Sequence, residues 1–374
     1  MRTAVFVTCC LLLNACAREL PPVVVHAADQ APERLSAWGV VVADGAYFQL
    51  NDNVLPYDLA SPLFTDYALK MRTVWLPENT AAAYNAEHEF DFPVGTIISK
   101  TFHYEKADGF GDTGFRVVRS ERDARLGDDG RLDLDDYALV ETRLLVRYED
   151  GWQAFPYVWN TEQTEAWLEV AGDVRNMQLV AAGGVEEFLY VVPDANQCKG
   201  CHAPNHTETS LRPIGPKARH LNRDYEYRGQ AANQLDHWAA TGILTGVEGD
   251  VPDGVRWSDA GGASLDERAR AYLDINCAHC HNSSGAADTS GLHLNADAPV
   301  DQNFGICKSP TAVGRGSGDR LYDIHPGKPE ASIVLYRMEH SDPAIAMPEL
   351  GRSTVHVEGV RLVSEWIASL EGDC

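Results

Sequence analysis

The sequence predicts a multidomain β + α protein, in which an N-terminal β-sandwich-like domain precedes a mostly helical region. Across 36–195, short runs of β-branched and aromatic residues alternate with Asp-Gly dipeptides typical of hairpins, as at 108–109 and 150–151. Across 196–374, apolar residues instead recur at helical spacing, most clearly in a helix predicted at 358–370. Two short cysteine motifs in this second half carry most of the functional information.

The first 35 residues predict export rather than a folded element. After a basic start, 4–13 is an apolar run that is too short to span a bilayer. Leu-Asn-Ala-Cys at 13–16 resembles a bacterial lipobox, which makes Cys16 the predicted lipidated residue; an ordinary signal peptide is the alternative. We therefore predict a signal peptide at 1–15, a linker at 16–35, and a membrane-anchored lipoprotein facing the periplasm or the cell surface.

Two copies of the pattern Cys-x-x-Cys-His lie in the second half of the chain. The first comprises Cys198, Cys201 and His202, and the second comprises Cys277, Cys280 and His281. This spacing is the attachment signature of c-type haem, in which two thiols bind one haem and the next histidine ligates its iron. A structural zinc site or a redox disulfide explains neither the histidine after both pairs nor their wide separation. The pattern predicts two covalently bound haem c groups, with iron bound by the two histidines.

The helical half is accordingly predicted to be a dihaem cytochrome c region. We place a β-sandwich-like domain at 36–195, a first haem segment at 196–263, and a cytochrome c domain with the second haem at 264–374. Ser-Leu-Asp-Glu at 264–267 is a helix cap signal, and the helix that follows leads into the second motif. One further helix is predicted inside the β-region, at 162–170.

The ligand on the far side of each iron is a separate prediction. Met347 lies in a loop before the last helix and is followed by proline, whereas Met338 lies in a predicted helix, where methionine usually packs in the core. We therefore predict that Met347 ligates the second haem. For the first haem, His237 is the first choice. The alternatives that stay open are a five-coordinate iron or ligation by Met177, His206 or His220.

The nine cysteines can all be assigned a role. Cys9 and Cys10 leave with the signal peptide, a third is the lipidated residue, and four hold haem. Cys307 and Cys374 remain, and in an oxidising compartment they predict a disulfide, with two free thiols as the alternative.

The chain is strongly acidic, with 31 Lys and Arg against 55 Asp and Glu and a net charge of -24. Such a surface excludes nucleic acid and anionic lipid as expected partners, and it leaves the lipid anchor as the only expected membrane contact. It would attract a basic redox partner, such as a basic cytochrome or an oxidoreductase with a basic rim, although solubility alone is an equal explanation.

Several longer strings are similar to a known protein family. They lie at 55–67, 92–96, 157–160, 196–202, 213–217 and 347–352, and the similarity extends over nearly the whole mature chain. They resemble a family of exported bacterial dihaem c-type cytochromes, many of which are lipoproteins. The resemblance implies two covalent haems and a role in electron transfer, and it implies no established substrate.

Two classes of function follow from the motifs. The first is a protein that passes single electrons between redox partners outside the cytoplasm, with no catalytic residue. The second is a haem enzyme of the dihaem peroxidase type, in which one haem keeps an open coordination position beside an acid–base group. A weaker third possibility is that the β-region binds a partner or a glycan.

Overall fold

The computed structural model describes residues 20–111, 114–122, 126, 127, 129–205, 208, 210–311 and 313–374. Within these residues the chain forms sixteen β-strands and six α-helices. The strands are β1 Val41–Ala43, β2 Tyr47–Leu50, β3 Leu55–Tyr57, β4 Leu69–Trp75, β5 Ala82–Ala83, β6 Ile97–Glu105, β7 Phe115–Val118, β8 Arg131–Asp133, β9 Tyr137–Tyr148, β10 Gly151–Trp159, β11 Ala166–Leu168, β12 Asp173–Ala181, β13 Gly184–Val192, β14 Asp224–Tyr227, β15 Gln230–Asn233 and β16 Leu244–Thr245. The helices are α1 Gln197–His202, α2 Ala218–Leu221, α3 Gln234–Ala240, α4 Leu265–Leu273, α5 Ile333–Met338 and α6 Val357–Ser369.

A six-stranded antiparallel sheet, in the order β11-β10-β9-β6-β4-β3, is the centre of the fold. Its inner strands are buried along most of their length on both faces, as the burial of β4 and β9 shows. Two three-stranded sheets, β1-β2-β8 and β13-β12-β7, lie beside it.

The two faces of the central sheet have different coverings. Side chains alternate between faces along a strand, so Ile97 and Ile98 point in opposite directions. Ile97 belongs to a core shared with β1, β2 and β8. On the opposite face, Phe102 packs against the β7-β12-β13 sheet, while Ile98 packs with Leu221 and Trp238 from the chain that follows the first motif.

The predicted β-sandwich-like domain is therefore wrong in its architecture. A sandwich keeps one face of each sheet open to solvent, and its strands alternate apolar and polar residues. Here the central sheet is covered on both faces. The sequence runs were correctly read as strands, but their burial on both faces makes this sheet an inner layer.

The prediction of a mostly helical region across 196–374 is also wrong. Helices make up 19% of the structure, and the helices of this half are short segments separated by turns, loops and two small sheets. Only α4 and α6 carry nine residues or more, with nine and thirteen. The helical periodicity was real in these two elements, and extending it to the connecting segments was the error.

The predicted helix at 162–170 is likewise a strand, β11. Its backbone pairs with β10 from Tyr157 opposite Leu168 to Trp159 opposite Ala166. Hydrogen bonding to a neighbouring strand outweighs the local helical preference of so short a segment.

Some sequence predictions fall on residues that the structure does not describe. These are the signal peptide at 1–15, the lipidated Cys16, the start of the linker, and His206. In the part of the chain that is described, no helix has both the length and the apolar character needed to cross a bilayer.

Candidate functional site

The first motif lies on α1, directly after the edge strand β13. Asp194 fixes the start of this short helix, since its carboxylate accepts hydrogen bonds from the backbone of Asn196 and Gln197 at 2.7 and 2.8 Å. Gln197 in turn accepts from the Asp194 backbone at 2.9 Å. These reciprocal bonds hold Cys198 buried against the cavity described below.

His202 is oriented by a backbone carbonyl. Its Nδ1 lies 2.8 Å from the carbonyl oxygen of Arg212, and the Arg212 amide donates back to the His202 carbonyl at 2.7 Å. The neighbouring Leu211 bridges to Trp152 of β10, so this loop rests on the central sheet. Burial lowers the pKa of His202 to about 4. The imidazole is therefore neutral, its Nδ1 is used as a donor, and its Nε2 keeps a lone pair for a metal.

The second motif is presented by a well-capped helix. At the start of α4, Ser264 and Glu267 form a reciprocal capping box, as the sequence predicted. The helix runs on from Asp274 to Ala278 as a single π-helical turn that contains Cys277. Such turns are rare and frequently lie at functional sites.

His281 is held in the same manner as His202, by a different partner. Its Nδ1 lies 3.0 Å from the Ser290 hydroxyl, whose own hydrogen is donated to the Ala287 carbonyl at 2.6 Å. Burial lowers the pKa of His281 to about 4, so this imidazole is also neutral. Both motif histidines thus have a fixed ring and an uncommitted Nε2.

Met347 lines the same cavity as Cys277 and His281. This second cavity has a volume of about 890 Å³ and an apolar wall that includes Leu292 and Leu294. Met338 lines it too, but from α5, where it is buried in the C-terminal core. The structure therefore brings His281 and Met347, the predicted ligands of the second haem, to one cavity, which Met338 also lines.

Arg352 fixes the loop that carries Met347. Its Nη2 donates to the carbonyl oxygens of Arg337, His340 and Met347 at 3.0, 2.9 and 2.9 Å. The Met347 amide adds a bond to the Arg337 carbonyl at 3.1 Å. One guanidinium thus ties the loop to the end of α5.

The two motifs meet at their second cysteines. Cys280 Sγ lies 3.3 Å from the carbonyl oxygen of Gly200, inside the first motif. The ligand atoms of Cys201, His279 and Cys280 all lie within 4.8 Å of one another. Sequence reasoning missed this contact because nothing in either motif indicates that the other is adjacent.

A larger cavity of about 1670 Å³ extends from this meeting point to the central sheet. Both cysteines of the first motif line it, together with His202 and apolar side chains such as Leu63 and Ile98. Each motif therefore faces a cavity with apolar side chains in its wall.

The structure does not bring His237 to the first motif. Its ring stacks on Tyr227 with 3.7 Å between centroids, and it lines a separate cavity. Met177 lies on β12 and packs in the core between the central sheet and the β7-β12-β13 sheet. Of the predicted alternatives within the described residues, His220 lines the larger cavity with His202. The choice of His237 followed from its helix, and that helix turns the ring away.

His220 is buried and has no hydrogen-bond partner for either ring nitrogen. Its Nε2 lies 3.9 Å from Asp274, too far for a hydrogen bond, because that carboxylate is held by two bonds of 2.9 Å from Arg219. Burial lowers the pKa of His220 to about 4. A neutral buried imidazole without a partner is chemically suited to bind a metal.

Cys307 and Cys374 are joined as a disulfide, with 2.11 Å between their sulfurs. The four motif cysteines are free thiols. The residues therefore fit two covalently attached haems: each motif has two thiols and a neutral histidine oriented by its Nδ1, and the cavities are lined by both cysteines of the first motif and by Cys277 of the second.

The chain matches no known family model, no curated protein and no solved structure. The resemblance to exported bacterial dihaem c-type cytochromes is therefore corrected, since no match supports it and the expected mostly helical cytochrome region is absent from the described residues.

Proposed function

We propose that this protein holds two haems covalently, one at each Cys-x-x-Cys-His motif, and carries single electrons between redox partners outside the cytoplasm. One observation carries the proposal. Each motif histidine has its Nδ1 engaged, His202 by the Arg212 carbonyl and His281 by Ser290, and each shares a cavity with cysteine of its own motif. A zinc or disulfide site would not require this arrangement twice.

When bound, a haem supplies an iron that exchanges one electron between its ferric and ferrous states. The chain's own contribution at the second site is to hold His281 and Met347 on one cavity and to surround them with apolar side chains. A thioether ligand raises the reduction potential relative to a second histidine. The second site is therefore proposed to be the one of higher potential.

At the first site, His220 replaces His237 as the proposed second ligand. It lines the cavity with His202, and its ring nitrogens have no other partner. Two protein ligands on one iron limit its movement on oxidation and reduction, which suits an electron carrier. A first site without this ligand would instead be open, as a peroxidase of the dihaem type requires.

Localisation and partners belong to the same proposal. Attachment of c-type haem takes place outside the bacterial cytoplasm, and the apolar run at 4–13 with Cys16 would supply export and a lipid anchor. The net charge of -24 favours a basic redox partner over nucleic acid.

The proposal is tested by counting covalent haems. After expression with a c-type maturation system, acid–acetone extraction should leave the colour with the protein, and a haemochrome assay should give two haems per chain. The Cys198→Ala/Cys201→Ala and Cys277→Ala/Cys280→Ala variants should each retain one. A colourless wild-type protein would reject the proposal.

Spin state then separates the carrier from the enzyme. Electron paramagnetic resonance of the oxidised protein should show two low-spin sites. A high-spin site that binds cyanide or peroxide rapidly would favour the peroxidase.

A further inference from the structure

Three basic residues form a row across the central sheet, on the face that lines the larger cavity. Arg72 of β4 lies opposite Lys100 of β6, and Lys100 lies opposite Arg143 of β9. All three line the cavity together with Cys198 and His202. Directly opposed residues on neighbouring strands have side chains about 5 Å apart at their base, so the three charges are close neighbours.

Two of the three charges are balanced by carboxylates. Arg72 pairs with Asp58 at 2.9 Å, and both side chains are buried. Arg143 makes two bonds to Glu141, at 2.7 and 2.5 Å, and the Glu141 carboxylate is fully buried.

Lys100 stands between them without an anionic partner. Its Nζ lies 5.1 Å from the centre of the Phe102 ring, and among the described residues no carboxylate comes within ion-pair distance of it. Burial, followed by the positive charges of Arg143 and Arg72, lowers the pKa of Lys100 to about 7. Asp58 also binds Arg223 at 3.3 Å, so the carboxylates beside the row are already taken up by arginines, and Lys100 is the basic residue of the row that lacks a carboxylate partner.

An arrangement of this kind is costly in an empty cavity. Like charges directly opposite each other on neighbouring strands are destabilising, and buried charges in proteins are normally paired. A bound anion would give Lys100 the partner that it lacks. A planar carboxylate suits such a place, because it accepts several hydrogen bonds at once.

We propose that Lys100, flanked by Arg72 and Arg143, binds a carboxylate group in the larger cavity. Two sources of carboxylate are compatible with this site. One is a propionate of a haem attached at Cys198 and Cys201, and this source rests on the proposed function. The other is a small free carboxylate that enters the cavity.

Lys100→Met tests the proposal, because it keeps the length of the side chain and removes its charge. Lys70→Met is the matched control: Lys70 is a buried lysine of the same sheet that bonds to the Ala68 carbonyl at 2.8 Å and does not line the larger cavity. Lys100→Arg keeps the charge and serves as the rescue variant. A haemochrome assay first establishes the number of haems in each protein.

If a propionate occupies the site, removing the Lys100 charge disfavours the reduced state of the neighbouring haem. Redox titration should then show a reduction equilibrium weakened about tenfold at one haem, which is ~59 mV for one electron. The Lys70→Met and Lys100→Arg variants should keep the wild-type potential. An equal shift in Lys70→Met would count against the assignment, since any buried charge on the sheet would then suffice.

If the potential does not change, or if the chain carries no haem, acetate binding tests whether a free carboxylate occupies the site. Isothermal titration of the protein with acetate should show binding that is lost in Lys100→Met and kept in Lys70→Met, which identifies a free carboxylate as the source. If the experiments show no potential shift and no acetate binding that depends on Lys100, the proposal is overturned. A protein without haem that still binds acetate through Lys100 would reject the proposed function and retain the carboxylate site.

Discussion

The second motif is presented by a capped helix of the C-terminal core, whereas the first lies on a six-residue helix between an edge strand and a loop that rests on the sheet. The cavity at the second motif is lined entirely by residues between 277 and 347. The cavity at the first draws on β4, β6 and β9, from parts of the chain up to 130 positions away in the sequence. The same five-residue pattern thus serves a locally built site and one assembled over long range.

This difference determines what happens when a residue is changed. At the locally built site, Met347 and its loop are close in sequence to His281, although Met347 and Arg352 also line the larger cavity. At the first site, the groups around His202 also belong to the central sheet. Four experiments test the comparison, in order of expected effect.

The largest effect is expected from Met347→Ala. Loss of the thioether should abolish the weak near-infrared band of a methionine-ligated ferric haem and weaken the reduction equilibrium of that site by tenfold or more, ~59 mV for each factor of ten. Met338→Ala is the control: it should keep the band and lower stability by about 2–5 kcal/mol, since Met338 is 8% exposed in the core. Loss of the band in Met338→Ala alone would reverse the assignment.

A second large effect is expected at the first site from His220→Ala. Electron paramagnetic resonance should show one of two low-spin signals replaced by a high-spin signal, because the ring that shares the cavity with His202 is gone. His237→Ala should leave both signals intact, as this ring is stacked on Tyr227 in another cavity. A low-spin signal that survives His220→Ala would refute the assignment.

Asp274→Asn tests the ion pair that joins the two sites. Asp274 begins the π-helical turn of the second motif, and its carboxylate binds Arg219, the neighbour of His220. Breaking a buried pair of this kind should lower the free energy of unfolding by about 3 kcal/mol at pH 7, measured by urea denaturation. Glu365→Gln, which removes an exposed pair on α6, should change nothing measurable.

The same pair has a defined pH dependence. Burial alone would raise the pKa of the Asp274 carboxyl, but the Arg219 guanidinium that is bonded to it lowers the pKa well below its usual range. A carboxyl with a depressed folded pKa adds stability that is complete above the unfolded value of about 3.9 and is lost as pH falls towards the folded value. The difference between wild type and Asp274→Asn should therefore shrink below about pH 4. A difference that stays constant from pH 7 to pH 3 would show that the charge is not the cause.

The smallest of the four effects is expected from Arg352→Met. It removes the donor shared by three backbone carbonyls and should lower stability by about 2 kcal/mol while weakening, without abolishing, the methionine–iron band. Arg315→Met, at an exposed pair with Asp342, provides the control and should leave both readouts unchanged. An unaltered band and melting temperature in Arg352→Met would show that the Met347 loop keeps its conformation without the hydrogen bonds from Arg352.

Sequence reasoning succeeded where the signal was local. The capping box at Ser264 and the last helix follow from residues three or four positions apart. It failed where long-range packing decides. Nothing near His237 reveals that its ring meets Tyr227, and nothing near Lys100 reveals that Arg72 and Arg143 will stand beside it. Strand register places the three basic residues together, and register cannot be read from any one segment.

The contact between Cys201 and Cys280 also bears on how the protein is made. In the folded chain without cofactor, one thiol from each motif lies within 4.8 Å of the other. In an oxidising compartment such neighbours are substrates for a disulfide across the motifs, which would leave each motif a single thiol. Peptide mapping of the chain produced without a maturation system should detect this cross-link. If the cross-link is absent, the two thiols do not compete with cofactor attachment. If both motifs carry haem as proposed, reduction and cofactor attachment would therefore have to come before the two motifs close on each other.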